Sequence, residues 1–401
     1  MPSRSLRVPS YTHHKPTGQA RVRIDGRDIY LGRFDTDESR ERYRRVIAEW
    51  LSTGSLPEPG HARADPDDQR PSEGPTVAEL LVRFLRHAET HYRHADGTPT
   101  GTTEKFKVAL RPLRNLYARS SVAEFGPRAL KALREQLVRD GLGRSTINYN
   151  VGKVVQVFKW GVAEELVPPA VYQALAAVPG LQRGRSNARE TEPVGPVPDA
   201  YVDAVLPHVS RQVRTMVELQ RLTGMRPGEV CQMRTRDIDT SGRIWLYHPE
   251  RHKTEHHGRQ RTIYLGPKAQ AILSPWLRTE LEAFLFSPAD ADAEFRARKR
   301  AARKTPVQPS QKGRRQATPK ARYSDHYTPS AYGYAVARAC DKAGVPRWRP
   351  NRLRHAAATR FRKEFGIDAA RALLGHSDVT TTSIYAERDE TLAVMAMNAI
   401  G

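Results

Sequence analysis

Five side chains in the C-terminal half of this 401-residue chain can hold, protonate or attack a phosphate. Arg226 lies in Thr223-Gly224-Met225-Arg226-Pro227-Gly228-Glu229, Lys253 in His252-Lys253-Thr254, and Arg354 in Asn351-Arg352-Leu353-Arg354-His355. His376 ends Leu373-Leu374-Gly375-His376, and Tyr385 follows it by nine residues. A guanidinium offers paired N–H groups to two phosphate oxygens, an ammonium can protonate a departing alkoxide, and a phenol that loses its proton becomes a nucleophile. In this order the series points to a tyrosine nucleophile aimed at a phosphodiester.

Composition names the polymer. The chain carries 66 Lys+Arg against 44 Asp+Glu, a formal charge of +22, so the partner is polyanionic. No apolar run reaches membrane-spanning length, and Met1-Pro2-Ser3-Arg4 lacks an apolar signal core, so nucleic acid is expected over membrane, in a soluble, intracellular protein. Cys231 and Cys340 are too few and too far apart for a disulfide framework or a Cys-rich zinc site, and are expected as small core residues. The length accommodates two to three domains.

Each group needs an element to hold it. Val213, Met216, Val217 and Gln220 mark a helix that stops at Gly224, and Pro227 can open the next helix, which leaves Arg226 at a fixed turn with Glu229 in reach. Glu229 either orients the guanidinium toward a phosphate or forms a pair that only staples two helices. Two short strands, Arg243 to Tyr247 and Arg261 to Leu265, flank Lys253, the only lysine between them; on a hairpin it is either a general acid or a solubility residue. A helix carrying Ala357, Phe361 and Phe365 follows Asn351, and a shorter one, Ile367 to Leu374, ends at Gly375. Arg296 to Arg322 holds eleven Lys/Arg and no acid, interrupted by Pro306, Pro309 and Pro319, and reads as an inserted loop at about 287–325 that touches DNA backbone or serves as a spacer.

The N-terminal half reads as two modules. Gln19 to Phe34 alternates about Asp25-Gly26, a type I′ hairpin signal, and a helix follows with Asp35 as its expected cap and Tyr43, Val46, Ile47, Trp50 and Leu51 on one face. The free sheet face carries Arg21, Arg23, Arg27 and Arg33, a DNA-docking face or a solvated one. Ser55 to Gly74 has linker composition. Thr76 and Glu79 form a capping-box pattern before the helix of Val77, Leu80, Leu81, Phe84 and Leu85, and three further helical stretches follow. The last, Ile147 to Leu166, bears Asn148, Asn150, Lys153, Gln156 and Lys159, which reach phosphates or base edges, or are solvated.

Thr-Gly-x-Arg-x-x-Glu, a strand-loop lysine, Leu-Arg-His, Leu-Leu-Gly-His and a tyrosine nine residues later together resemble the boxes of the tyrosine recombinase, or phage integrase, family, in order and spacing. The resemblance implies a mainly α fold: a helical catalytic domain with a small antiparallel sheet at 201–401, a helical core-binding domain at 75–181, and an arm-type DNA-binding module of sheet plus helix at 1–54, with linkers at 55–74 and 182–200. It implies that Arg226 and Arg354 clamp the scissile phosphate, Lys253 protonates the 5′ oxygen, His376 hydrogen-bonds a non-bridging oxygen and Tyr385 forms a 3′-phosphotyrosyl link. Such chemistry needs no metal or other cofactor, since two arginines and a histidine supply the counter-charge. The expected partners are double-stranded attachment sites and further copies of the chain in a tetrameric synapse, joined through the apolar tail Leu392, Val394, Met395 and Met397, which otherwise packs on its own domain, with an accessory DNA-bending protein as a further partner. The setting is the cytoplasm of a bacterium, with the chain bacterial or phage-encoded and its use the integration or excision of a mobile element. One position departs: the family usually has His or Lys three before Arg354, and this chain has Asn351, an amide that cannot accept a proton near neutral pH. His355, one helical turn on, is either structural or a proton acceptor. A topoisomerase IB-like strand transferase and a DNA-binding protein without catalysis are the alternatives.

Overall fold

The structure, a computed structural model, describes residues 8–53, 74–94, 96–250, 261–306, 308 and 323–375. It is mainly α with two small antiparallel sheets, as the sequence implies, and divides into two compact units, Met1–Glu192 and Pro193–Gly401.

The first unit opens with strands β1 (Thr12–His14), β2 (Gln19–Ile24) and β3 (Arg27–Arg33), paired antiparallel in that order. Asp25 and Gly26 both have positive φ, 47° and 80°, which is the I′ geometry that lets Ile24 pair with Arg27. Ala20, Val22, Ile24 and Leu31 turn inward onto Val46, Ile47 and Trp50 of helix α1 (Asp37–Thr53). The cap differs from expectation. Asp35 has φ 65° and pairs with Arg40, while the Thr36 hydroxyl accepts the Ser39 N–H at 3.2 Å, because a left-handed residue cannot supply the extended cap geometry.

Helix α1 also packs on the helical bundle, against α3 (Thr102–Tyr117) and α4 (Pro127–Arg139). Arg45 donates to Ser120 Oγ at 3.0 Å, Glu41 accepts the Arg119 N–H at 3.2 Å, and the Tyr117 hydroxyl donates to Glu49 at 3.3 Å. Sheet, α1 and bundle therefore form one unit. The bundle is completed by α2 (Val77–His91), α5 (Arg144–Ala163) and α6 (Pro169–Ala176), with Phe84, Phe106, Phe125 and Phe158 at its centre. Thr76 and Glu79 make the reciprocal capping box. Most of the linker at 55–74 lies outside the described residues.

The second unit contains α7 (Asp199–Val205), α8 (Arg211–Thr223), α9 (Pro227–Cys231), strands β4 (Ile238–Asp239), β5 (Trp245–Tyr247) and β6 (Ile263–Leu265), then α10 (Pro267–Leu273), α11 (Pro288–Ala301), α12 (Pro329–Ala343) and α13 (Asn351–Leu374). The sheet has three strands, one more than the sequence reading, because β4 is too short to show a period. Cys231 and Cys340 are buried in this core. Gly366, at φ 84°, breaks α13 between the two helices expected there.

The insertion read as a loop at about 287–325 begins instead as helix α11. Ser287 caps it, Pro288 starts it, and its acidic first half is tied down by Asp290 to Arg278 at 2.5 Å and Glu294 to Arg211 at 3.1 Å. Its basic last turn, Arg298, Lys299 and Arg300, suits the negative end of the helix dipole. Among the described residues no helix is long and apolar enough to cross a membrane.

Candidate active site

Arg226 immediately precedes α9 with an extended backbone, and Pro227 fixes the first turn. Glu229 holds it twice: Oε2 accepts the Arg226 backbone N–H at 2.7 Å and Oε1 accepts Nη1–H at 2.8 Å. The glutamate side chain is 2 % exposed whereas that of Arg226 is 23 % exposed, so the guanidinium is fixed along one side and open on the other. The Tyr247 hydroxyl, from β5, donates to the Glu229 backbone oxygen at 2.7 Å and pins α9 to the sheet. Burial pushes the Glu229 carboxyl up, but Arg261 and Arg226 outweigh it and hold the group below the usual carboxylate range.

Arg354, in the first turns of α13, is 2 % exposed. Its Nη1–H donates to Gly224 O and its Nη2–H to Leu374 O, both at 2.8 Å, so it joins the end of α8 to the end of α13. Gly224, at φ 66°, makes that approach feasible: a Cβ there would stand 2.8 Å from the Leu374 side chain and 3.1 Å from Ala357 Cβ. Since Gly224 lies two residues before Arg226, one crossing brings the segments of both arginines together. Arg360 adds bonds to Arg221 O at 2.8 Å and Leu222 O at 3.3 Å, filling the C-terminal carbonyls of α8.

A third arginine, missed in the sequence reading, completes the cluster. Arg261 has a side chain 5 % exposed, with Nε 3.6 Å from Glu229 Oε1 and both Nη groups donating to Leu373 O at 3.3 Å. Burial lowers its pKa and Glu229 opposes the shift. The signal was alternation: Arg261, Ile263 and Leu265 share the buried face, while Tyr264 is exposed.

Asn351 and His355 lie one turn apart on α13, with Asn351 Nδ2 3.4 Å from His355 Nε2, a long contact. Burial, then Arg354 and Arg352, hold the imidazole pKa below its ordinary value. Lys253, His376 and Tyr385, and the apolar tail beyond, lie outside the described residues. Among the described residues no group of three His, Cys, Asp or Glu side chains is placed to hold a metal.

In the first unit, Arg21 and Arg23 share Asp28 at 3.0 Å and 3.8 Å, while Arg23, Arg27 and Arg33 are exposed. Lys159 is exposed, and Lys153 Nζ lies 4.3 Å over the Phe106 ring. Asn148 is committed to structure: Nδ2–H donates to Leu181 O at 3.0 Å and Oδ1 accepts the Leu181 N–H at 2.8 Å. Asn150 is buried.

Residues 203–391 match the family model described as the phage integrase family. The tyrosine recombinase XerC of Mycobacterium sp. (strain KMS) is 29 % identical over 304 residues, covering 70 % of this chain and 86 % of the relative. XerC of Mycobacterium tuberculosis (strain CDC 1551 / Oshkosh) is 28 % identical over 219 residues, 54 % of this chain and 58 % of that protein. Among solved structures, a lambda integrase tetramer bound to a Holliday junction aligns with TM-score 0.55 at 16 % identity, covering 96 % of this chain and 97 % of that chain. The Tn1549 transposon integrase in complex with transposon right end DNA aligns with TM-score 0.57 at 17 % identity, covering 81 % of this chain and 100 % of that one. At these identities the structural likeness is one of fold.

Proposed function

We propose that this chain, whose residues 203–391 match the phage integrase family and which is similar to XerC tyrosine recombinases, recombines double-stranded DNA at specific sites through a covalent 3′-phosphotyrosine intermediate. Tyr385 Oη attacks the scissile phosphorus and the P–O5′ bond breaks. Lys253 gives its proton to the departing 5′ oxygen, and the phenol proton passes to a neutral acceptor, for which His355 is the described residue best suited. Arg226, Arg354 and His376 hold the non-bridging oxygens as charge builds. The phosphodiester energy stays in the phosphotyrosine, so the 5′-hydroxyl of another strand can attack it, releasing Tyr385 and exchanging strands.

The observation that carries this reading is Arg354, buried and tied to Gly224 O and Leu374 O, beside an Arg226 already held by Glu229. Guanidiniums already held in place by the fold need little reorganisation as charge builds in the transition state. Strand exchange joins two cut duplexes, which supports a multimer on DNA, a tetramer in the full synapse, with a bending protein as accessory and the cytoplasm as setting. The sheet arginines Arg21 and Arg23 on one face and Arg27 and Arg33 at the strand ends, with Lys153 and Lys159, would bind DNA outside the cleavage point, and the basic end of α11 would add backbone contact. Integration or excision of a mobile element is the use that best fits a chain with its own N-terminal DNA-binding module.

A nicked suicide attachment site, from which the 5′ fragment is lost after cleavage, traps the intermediate. The wild-type chain should form a covalent protein–DNA adduct and Tyr385→Phe none. No adduct from the wild type, or as much from the variant, refutes the assignment.

A further inference from the structure

The described arginines of the site are linked in a closed circuit. Arg226 bonds to Glu229 at 2.8 Å, Glu229 faces Arg261 at 3.6 Å, and Arg261 donates to Leu373 O at 3.3 Å. Leu374 O accepts from Arg354, which returns to Gly224 O, each at 2.8 Å, two residues before Arg226. Two guanidiniums, those of Arg226 and Arg261, face the Glu229 carboxylate, and that of Arg354 is held by backbone carbonyls in the same buried place.

The proposed reaction assigns Arg226 and Arg354 to the phosphate and leaves Arg261 without a part. Its two Nη groups are spent on a backbone carbonyl and its Nε side faces Glu229. What it grips is the last turn of α13, two residues before Gly375 and three before His376. Gly375, at φ 64°, passes so close that a Cβ would stand 2.3 Å from Arg261 Nη1. A planar fork is required here, because it reaches the carbonyl with two N–H groups while its third nitrogen stays near the carboxylate; an ammonium on a flexible stem cannot do both.

We propose that Arg261 is a positioning residue for strand cleavage, fixing the end of α13, and so the chain that enters His376, against the Arg226–Glu229 pair. The inference rests on the reading of the chain as a tyrosine recombinase. Its test uses full-length Arg261→Lys and Arg261→Gln with the suicide site under single-turnover conditions, alongside DNA affinity and thermal unfolding. Arg261→Lys should bind DNA within about twofold of wild type and cleave at least about tenfold more slowly, with Arg261→Gln slower still. A second substrate replaces one non-bridging oxygen of the scissile phosphate by methyl, removing the charge that the arginines must meet. If Arg261 acts by aligning them, the variant's deficit should shrink on this neutral substrate, as should that of Arg226→Ala; a merely structural role depresses both substrates alike. Cleavage by Arg261→Lys within twofold of wild type, or an equal loss on both substrates, overturns the proposal. A wild-type chain that forms no adduct removes the recombinase reading itself, and this inference with it.

Discussion

Gly375→Ala tests the buried arginine circuit from its other side, and Gly344→Ala supplies the reference. Both glycines close helices in the left-handed region, with φ 64° and 67°, so an alanine at either pays the same backbone penalty, about 1–2 kcal/mol. They differ in what the new methyl meets. At Gly344 nothing stands within 4 Å, whereas at Gly375 the methyl would lie 2.3 Å from Arg261 Nη1, 3.0 Å from Cζ and 3.2 Å from Cδ. The arginine must leave Leu373 O, and charge-assisted hydrogen bonds contribute about 1.5–3 kcal/mol each. Gly375→Ala should therefore cost at least about 2 kcal/mol more than Gly344→Ala. In a domain of roughly 200 residues one kcal/mol moves Tm by about 2–4 °C, so calorimetry of the full chain should place the C-terminal transition at least about 4 °C lower for Gly375→Ala. Its cleavage rate should fall as well, while Gly344→Ala cleaves normally. Equal transitions in the two variants would refute the packing of Arg261 against Gly375.

Three further outcomes follow. Lys253→Ala should lose at least about a hundredfold in cleavage on ordinary DNA, within the range for a general acid, and recover most of it on a site whose 5′ bridging oxygen is sulfur, since a thiolate leaves without a proton; an unrescued variant rules out the general-acid role. Because burial and then Arg354 and Arg352 lower the His355 pKa, its neutral form persists below the ordinary value of about 6.5, so the cleavage rate should hold as pH falls to that point and decline only below it; an acid limb that survives in His355→Gln shows that another group accepts the proton. Replacing Arg298, Lys299 and Arg300 by alanine should flatten the dependence of DNA affinity on salt by up to about 2.7 log units per log unit, at about 0.9 per phosphate contact; an unchanged slope places the end of α11 off the DNA.

Local signals made the Arg226 turn legible. A glycine stop, a proline start and a glutamate three residues on act within one helical turn, and the structure joins Arg226 to Glu229 as expected. The same holds for the I′ hairpin, the Thr76 capping box and the break at Gly366. Alternation alone marks Arg261 for the buried face, and it is a weak signal because an arginine at a strand end normally reaches solvent; its partners, 32 residues before it and 112 after, make its burial tolerable. Asp35 is a good N-cap type with Glu38 three residues on, but the tight turn after β3 sets it left-handed and passes the cap to Thr36. The basic insertion hid a helix because its eleven cations drew attention from the capping serine and the acidic first half.

The arginine circuit also bears on when the chain becomes able to cut. Its bonds join residues 112 and 130 positions apart, and loops that long close late in folding. During synthesis Gly224, Arg226 and Glu229 leave the ribosome more than a hundred residues before Arg354 and Leu374. A nascent or truncated chain can therefore complete its N-terminal unit while the bonds that hold Arg261 and Arg354 are still unmade. For a tyrosine recombinase, this order of assembly withholds the arginine circuit until the whole C-terminal unit has been made.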